Sequence, residues 1–425
     1  MTANAQLRIA RLAATPAVHR AFHWLHLQQP QLRRWQLEML RIPAPPFGEQ
    51  ARAAWFLERF HALGLSNPHI DDAGNALAEL PANPPAAEPG VPGLGSETWV
   101  ASGRSSPIIL LSAHLDTVFP NTTPVEPTEG DTRILAPGAC DNAAGLTALL
   151  AIAAALRHAD LHPDVPILFA ANVGEEGEGD LRGMRHLFTR SPYASRIAAA
   201  IALDGAGSTA VITRALASRR FRVIICGPGG HSWIDAGTPN PIVILARALV
   251  ALEAIALDPP DASPADTRTT LNIGHISGGT SINSIPESAS ALIDLRSTDP
   301  QQLESIASAI RSTLEGAVAA AIQLSIETIG DRPCGLLPDG SPLLTTLRAV
   351  DRHLNLRTEP GIGSTDANIP LSLGVPAIAL GAGGVGSGMH TLHEWYDPTG
   401  REAALRRILL TLLDTAHLAA QDCTS

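Results

Sequence analysis

The stretch VPILFAANVGEEGEGDLRG, Val165–Gly183, runs an apolar segment into two adjacent glutamates, Glu175 and Glu176, set among glycines. A short apolar run bounded by turn residues reads as a strand buried on both faces, the kind found inside a parallel sheet. Two like charges held side by side repel, and they repel more where water is excluded. Taken alone, the pair would be explained by a solvated acidic turn. The segments on either side argue for something else.

Upstream, PIILLSAHLDTV (107–118) is another apolar strand that ends in polar residues, and NAAGLTALLAIAAALRHA (142–159) is a helix of small and aliphatic residues suited to packing on a sheet. Downstream, IAAAIALDG (197–205) is a further buried strand. Strands alternating with helices predict an α/β domain with a mainly parallel sheet. The first thirty residues lack the apolar core of a secretory leader and read as helix. Helical spacing continues in RRWQLEML and in ARAAWFLERFHALGL, and IDDAGNALAEL reads as a turn entering a short strand. Residues 81–107, rich in Pro, Gly and Ser, read as a long loop or hairpin.

The pattern changes near residue 217. Strands are expected in SRRFRVIICGPGGHSW, TTLNIGHISGG, SASALIDLRS and IQLSIETIGDRP, with helices in PIVILARALVALEAIAL and QLESIASAIRSTLEGAVAAA. That β-α-β-β-α-β order predicts a ferredoxin-like α+β sandwich inserted as a unit. From about residue 334 the α/β pattern resumes. The expected division is residues 1–216 and 334–425 for one domain, interrupted by 217–333.

Composition narrows the function. The chain has 425 residues, is 45% hydrophobic and 17% charged, and carries a formal charge of −11. That balance excludes a general nucleic-acid binder and offers no basic face for anionic lipid. No segment approaches the ~20 apolar residues of a membrane span. Cys140, Cys226, Cys334 and Cys423 are scattered without a CxxC pair, as expected of reduced thiols in a cytoplasm and not of a thiolate metal site. There is no HExxH, no GxSxG and no GxxxxGK[ST]. The glycines of GAGGVGSG (381–388) precede a His-rich turn rather than a helix, which argues against a dinucleotide loop.

In open α/β sheets ligands collect at the carboxyl ends of strands. His114 and Asp116 stand there, two residues apart and so on one face, with Glu175 and Glu176 after the next strand and Asp204 after another. Asp141 lies in a glycine-flanked loop before a helix, and His390 and His393 lie in GMHTLHEWYDP. Singly, each has an ordinary explanation as a helix cap, a turn or a solvated pair. Together they crowd negative charge into one crevice, which is costly unless cations neutralise it. Imidazole with carboxylates suits zinc, cobalt or manganese, and the number of donors suggests two ions sharing a carboxylate.

The segments SAHLDTV, GACDNAAG, NVGEEGEGDLRG, ALDG, GPGGHSW, GGTSINSIPESASALIDLR and MHTLHEW, in this order, resemble those of the dizinc exopeptidases that include peptidase T, glutamate carboxypeptidase and aminoacylase. The resemblance implies a phosphorylase/hydrolase-like α/β fold, a mixed and mainly parallel sheet flanked by helices, with the inserted ferredoxin-like part serving as lid and dimerisation domain. It implies that His114 and Asp204 hold one metal, that Glu176 and His390 hold the other, and that Asp141 bridges them across a cis peptide to Asn142. His390 is selected over His393 because the family pattern sets a Glu, here Glu394, four residues beyond the ligand. Asp116 would orient His114. Glu175, pointing away from its neighbour on extended backbone, would be the general base.

In the family, a His and an Asn in the motifs that here contain His231 and Asn283 reach a partner subunit's site and stabilise the oxyanion. Arg296 would grip a substrate carboxylate through its planar fork, the alternative being an ion pair with Asp294 or Asp299. GSTDANIP (363–370) resembles a substrate-side loop, unless Asp366 merely caps the segment after it. The expectation is a cytoplasmic, homodimeric enzyme with two divalent ions, zinc first, that hydrolyses small peptides. The alternatives are a deacylase of N-acyl amino acids with the same machinery and a catalytically silent binding paralog.

Overall fold

The structure, a computed structural model, describes residues 2–82, 106–123, 125–130, 132–255, 257, 268–318, 322–357 and 359–422. Most of the expected loop at 81–107 lies outside the described residues. Two compact units emerge, Met1–Thr213 with Leu337–Gly361 and Thr365–Ser425, and Arg214–Leu336 with Ile362–Ser364.

The first unit is built on a mixed sheet. Its strands Ser66–Ile70, Ala76–Leu80, Ile167–Asn172, Ile108–His114, Ile197–Leu203, Ala377–Leu380 and Ala210–Ala215 are neighbours in that order. The middle pairings are parallel, and those toward the edges are antiparallel. Every residue of Ile108–His114 and Ile167–Asn172 is buried, as a parallel strand covered on both faces requires. Helix Ala143–His158 is buried along nearly its whole length, so its all-apolar sequence faces protein on every side. No helix among the described residues is long and apolar enough to cross a membrane.

The N-terminal segment forms two helices, Thr2–Ala13 and Pro16–Leu27, not one. The break falls at Thr15, whose hydroxyl accepts from Val18 N, followed by Pro16 at the first helical position. A small sheet without a sequence signal joins Val385–Ser387, Trp395–Asp397, Ile134–Leu135 and Thr128–Glu129. Strands of two or three residues are too short to show periodicity.

In the second unit the strands Thr269–Gly278, Ser288–Ser297, Ala217–Cys226 and Gln323–Arg332 form an antiparallel sheet in that order. Strict alternation along Ser288–Ser297 turns Ala289, Ala291, Ile293 and Leu295 inward. Helices Pro241–Leu252 and Pro300–Gly316 contribute Leu245, Ala248, Leu249, Leu303, Ile306 and Ile310 to the same core. This is the ferredoxin-like arrangement. Each helix starts at a side-chain cap followed by proline, Asn240–Pro241 and Asp299–Pro300.

Candidate metal centre

His114 ends its strand, and the chain turns at once into Asp116. The His114 ring Nδ1 lies 3.0 Å from the Asp116 main-chain carbonyl, which fixes the proton on Nδ1 and leaves the Nε2 lone pair facing outward. That Nε2 is 3.1 Å from Asp141 Oδ1 and 3.7 Å from Asp204 Oδ1. Nearby, His390 Nε2 lies 3.1 Å from Asp141 Oδ2 and 3.0 Å from Glu176 Oε1. Two donor triads result, His114–Asp141–Asp204 and Asp141–Glu176–His390, each with its donor atoms within 4.8 Å of one another. They share Asp141, and the Asp141–Asn142 peptide is cis.

These groups fit a cation. Asp141 Oδ1 is buried with no hydrogen-bond donor. Opposite it stands an imidazole lone pair, so a proton or a metal ion has to lie between them. Without metal the protons take that place. Burial opposes charge on His114, but the Asp141 and Asp204 carboxylates outweigh it and hold the ring well above the usual histidine value. The Asp141 and Glu176 carboxylates raise His390 to about 10. Burial alone would raise Asp141, yet the two imidazoles bring it well below the ordinary aspartate range.

Adjacent groups hold the loops still. The Asp116 carboxylate was expected to orient His114, but its Oδ1 is 3.8 Å from Nδ1 and the orienting contact comes from the main chain. The carboxylate instead accepts from Glu175 N at 3.0 Å and Glu176 N at 2.7 Å, which fixes the backbone of the glutamate pair. Glu394 accepts from the amides of Gly138, Cys140 and Asp141 at 2.7–2.8 Å and so anchors the Asp141 loop. Burial pushes Glu394 up to about 7 against those three donors. The small sheet positions the turn that carries His390, whose φ of 64° is left-handed. His393 stays exposed on the same turn.

Asp366 caps no helix. It is buried, accepts from Asn172 Nδ2 at 2.8 Å, and is pushed up to about 7 by burial. Sequence reading missed this partner, Asn172, and also the bridging role of Asn142 described below. Both are amides next to motif residues, and spacing gives no sign of which way such a side chain points.

His231, Asn283 and Arg296 lie in the second unit. His231 pairs with Ser284 in a two-residue ladder, and Ser232 N donates to Asn283 O at 3.0 Å. Arg296 Nε donates to Asp294 Oδ2 at 2.7 Å, so the ion pair considered as an alternative is present.

A split α/β unit with two overlapping His–carboxylate triads at strand ends, and a ferredoxin-like unit between its halves, is the architecture of two-metal hydrolases. The sequence profile of peptidase family M20/M25/M40 matches residues 110–416, and the chain belongs to that family. It is 32% identical over 209 residues to a probable carboxypeptidase of Aspergillus clavatus, covering 46% of each chain. It is 28% identical over 286 residues to a succinyl-diaminopimelate desuccinylase of Methylorubrum extorquens, covering 61% of this chain and 68% of that one. The match thus spans about half the length of the carboxypeptidase relative. A tripeptidase structure from Staphylococcus aureus superposes with a TM-score of 0.69 at 20% identity, covering 91% of this chain and 98% of the other, a likeness of fold.

Proposed function

We propose that the protein is a two-metal exopeptidase acting on small peptides. The observation that carries this reading is the pair of triads sharing Asp141 beside a second buried glutamate, Glu175. His114 and Asp204 would hold one ion and Glu176 and His390 the other, with Asp141 between them. Two divalent ions there would polarise the scissile carbonyl and acidify a water. The donors favour zinc, with cobalt or manganese as substitutes. Cys140, pushed up to about 12 by burial, stays a neutral thiol.

Glu175 takes one proton from the attacking water as its oxygen bonds to the carbonyl carbon. It returns that proton to the leaving nitrogen as the carbon–nitrogen bond breaks. In the second unit, His231 Nδ1 accepts from Trp233 N and Ile234 N, so Nε2 bears the proton and can donate. The Asn283 Oδ1 accepts from Ser281 Oγ, which turns the amide nitrogen outward as another donor. Such donors suit an oxyanion. Around them Trp233 and Ile234 are 83% and 77% exposed and Ile282 fully so. This apolar patch supports a symmetric dimer in which His231 and Asn283 serve the neighbour's site. The free thiols Cys140, Cys226 and Cys334 fit the reducing cytoplasm.

The likeness to a desuccinylase favours one alternative, deacylation of N-acyl amino acids with the same groups. A silent binding paralog is disfavoured by the complete donor set. A panel of dipeptides, tripeptides and N-acyl amino acids, assayed with and without chelator, separates the three. Chelator-sensitive release of amino acids from peptides supports the exopeptidase. Turnover of the N-acyl substrates alone selects the deacylase, and no turnover with metal bound selects the binding protein.

A further inference from the structure

Asn142 follows the shared carboxylate Asp141 and starts helix Ala143–His158, where its Oδ1 accepts from Gly145 N at 3.0 Å. A helix cap needs only one acceptor, and Ser, Thr or Asp would serve. This side chain does more. The same Oδ1 accepts from Gly205 N at 3.1 Å, and Nδ2 donates to Leu203 O at 2.9 Å. One planar amide thus grips the main chain on both sides of Asp204. Among uncharged side chains of this length, only Asn offers a donor and an acceptor in that fixed geometry.

The surroundings are shaped for this grip. Asn142 is completely buried. A Cβ at Gly145 would lie 2.2 Å from Asn142 Oδ1 and 2.5 Å from Leu203 O, so only glycine leaves room for the amide. Asp204 N donates to Leu380 O at 2.8 Å, and Ala382 N donates to Gly205 O at 2.9 Å, so the neighbouring strand holds the same turn from the other side. Asp141 has an independent hold through Glu394.

We propose that Asn142 is a positioning residue that sets the separation of Asp204 from Asp141, and thereby the cation affinity of the His114–Asp141–Asp204 triad alone. This inference rests on the two-metal reading. Because Glu394 keeps Asp141 in place, loss of the bridge should free Asp204 and leave the Asp141–Glu176–His390 triad intact.

The test is a cobalt(II) titration of metal-free protein, followed by calorimetry and visible absorption. The unsubstituted protein should show two binding steps, and His114→Ala and His390→Ala identify which step belongs to which triad. Asn142→Ser keeps a cap oxygen for Gly145 but cannot span to residues 203 and 205. Asn142→Asp keeps the shape and the acceptors but replaces the donor to Leu203. In both variants the step missing from His114→Ala should weaken about 10–100-fold, the usual effect of removing a group behind a metal ligand. The other step should not move. Helicity and Tm report folding, and the isosteric Asn142→Asp decides the matter if Asn142→Ser fails to fold. Equal weakening of both steps, or of neither, overturns the proposal. A single step in the unsubstituted protein would instead sink the two-metal reading itself.

Discussion

The turn around Asp141 and the turn around His231 treat their polar groups in opposite ways. At Asp141 the neighbouring backbone amides are taken up by Glu394, and the Asn142 amide takes up the Leu203 carbonyl and the Gly145 and Gly205 amides, with apolar strands packed behind. At His231 a two-residue ladder presents imidazole and amide donors beside exposed Trp233, Ile234 and Ile282. The first turn is finished within its own unit. The second holds donors oriented by local hydrogen bonds but leaves apolar surface uncovered. A buried site can define chemistry, whereas a displayed one needs something to face.

The largest expected effect tests the finished side. Glu175→Gln removes the proposed base but leaves the amide that Asp116 holds. Turnover should fall by about 10²–10⁴-fold while two metals stay bound, as metal analysis of the purified variant would show. Loss of metal along with activity would make Glu175 a ligand and reverse the roles of the pair.

The displayed side comes next. His231→Ala should keep metal and fold yet lose about 10²–10³-fold in kcat, the usual cost of one oxyanion donor. If the neighbour's site is the one served, mixing His231→Ala with Glu175→Gln should restore activity. Up to about a quarter of the wild-type sites would then combine an intact base with an intact histidine, a count set by two-fold symmetry. No recovery despite proven subunit exchange would confine His231 to its own subunit.

How far the sequence discloses these regions follows from the same contrast. Ile108–His114 and Ile167–Asn172 are legible because strands buried on both faces must be apolar throughout, and their first polar residues then mark the sheet's functional edge. Ser288–Ser297 is legible through its alternation. His390 rests on a turn pinned by strands of two or three residues, and only its spacing to Glu394 singles it out from His393. The Asn142 bridge leaves no trace in the pattern, since it depends on Leu203 and Gly205, 61 and 63 residues further along the chain, meeting one amide. The main-chain contact from Asp116 to His114 is hidden for a similar reason. Sequence names an aspartate but not which of its oxygens, side-chain carboxylate or main-chain carbonyl, will be used.

Removing metal should expose a difference in pH response. In the metal-free protein His390 stands near 10, above an unfolded value of about 6.5. A raised folded-state pKa gives stability that is complete below about pH 6.5 and is lost as pH climbs through 10. The metal-free protein should therefore lose a few degrees of Tm between pH 7 and pH 10. Metal displaces the proton, so the loaded protein should not follow that slope. Parallel slopes with and without metal would take His390 out of the donor set.

The smallest expected effect on stability concerns Arg296, which lies opposite Ser218 at the other end of Ser288–Ser297 from the His231 turn and already has a partner. Its Nε donates to Asp294, which also accepts from Arg220 at 3.3 Å. Part-exposed pairs of this kind contribute about 0.2–1 kcal/mol, so Arg296→Lys should move Tm very little. Among the described residues the two terminal nitrogens of Arg296 have no hydrogen-bond partner. The Asp294 contact then aims the fork without using its outer edge, which is what bidentate capture of a carboxylate requires. Lysine would keep the charge and lose the fork. For a peptide with a free C-terminal carboxylate, KM should rise about 10–100-fold with kcat unchanged, the loss expected for a hydrogen bond to a charged group. The same peptide blocked as its carboxamide should show no change. If KM stays the same for both, Arg296 holds Asp294 and nothing else, and this end of the second unit's sheet supplies no carboxylate clamp.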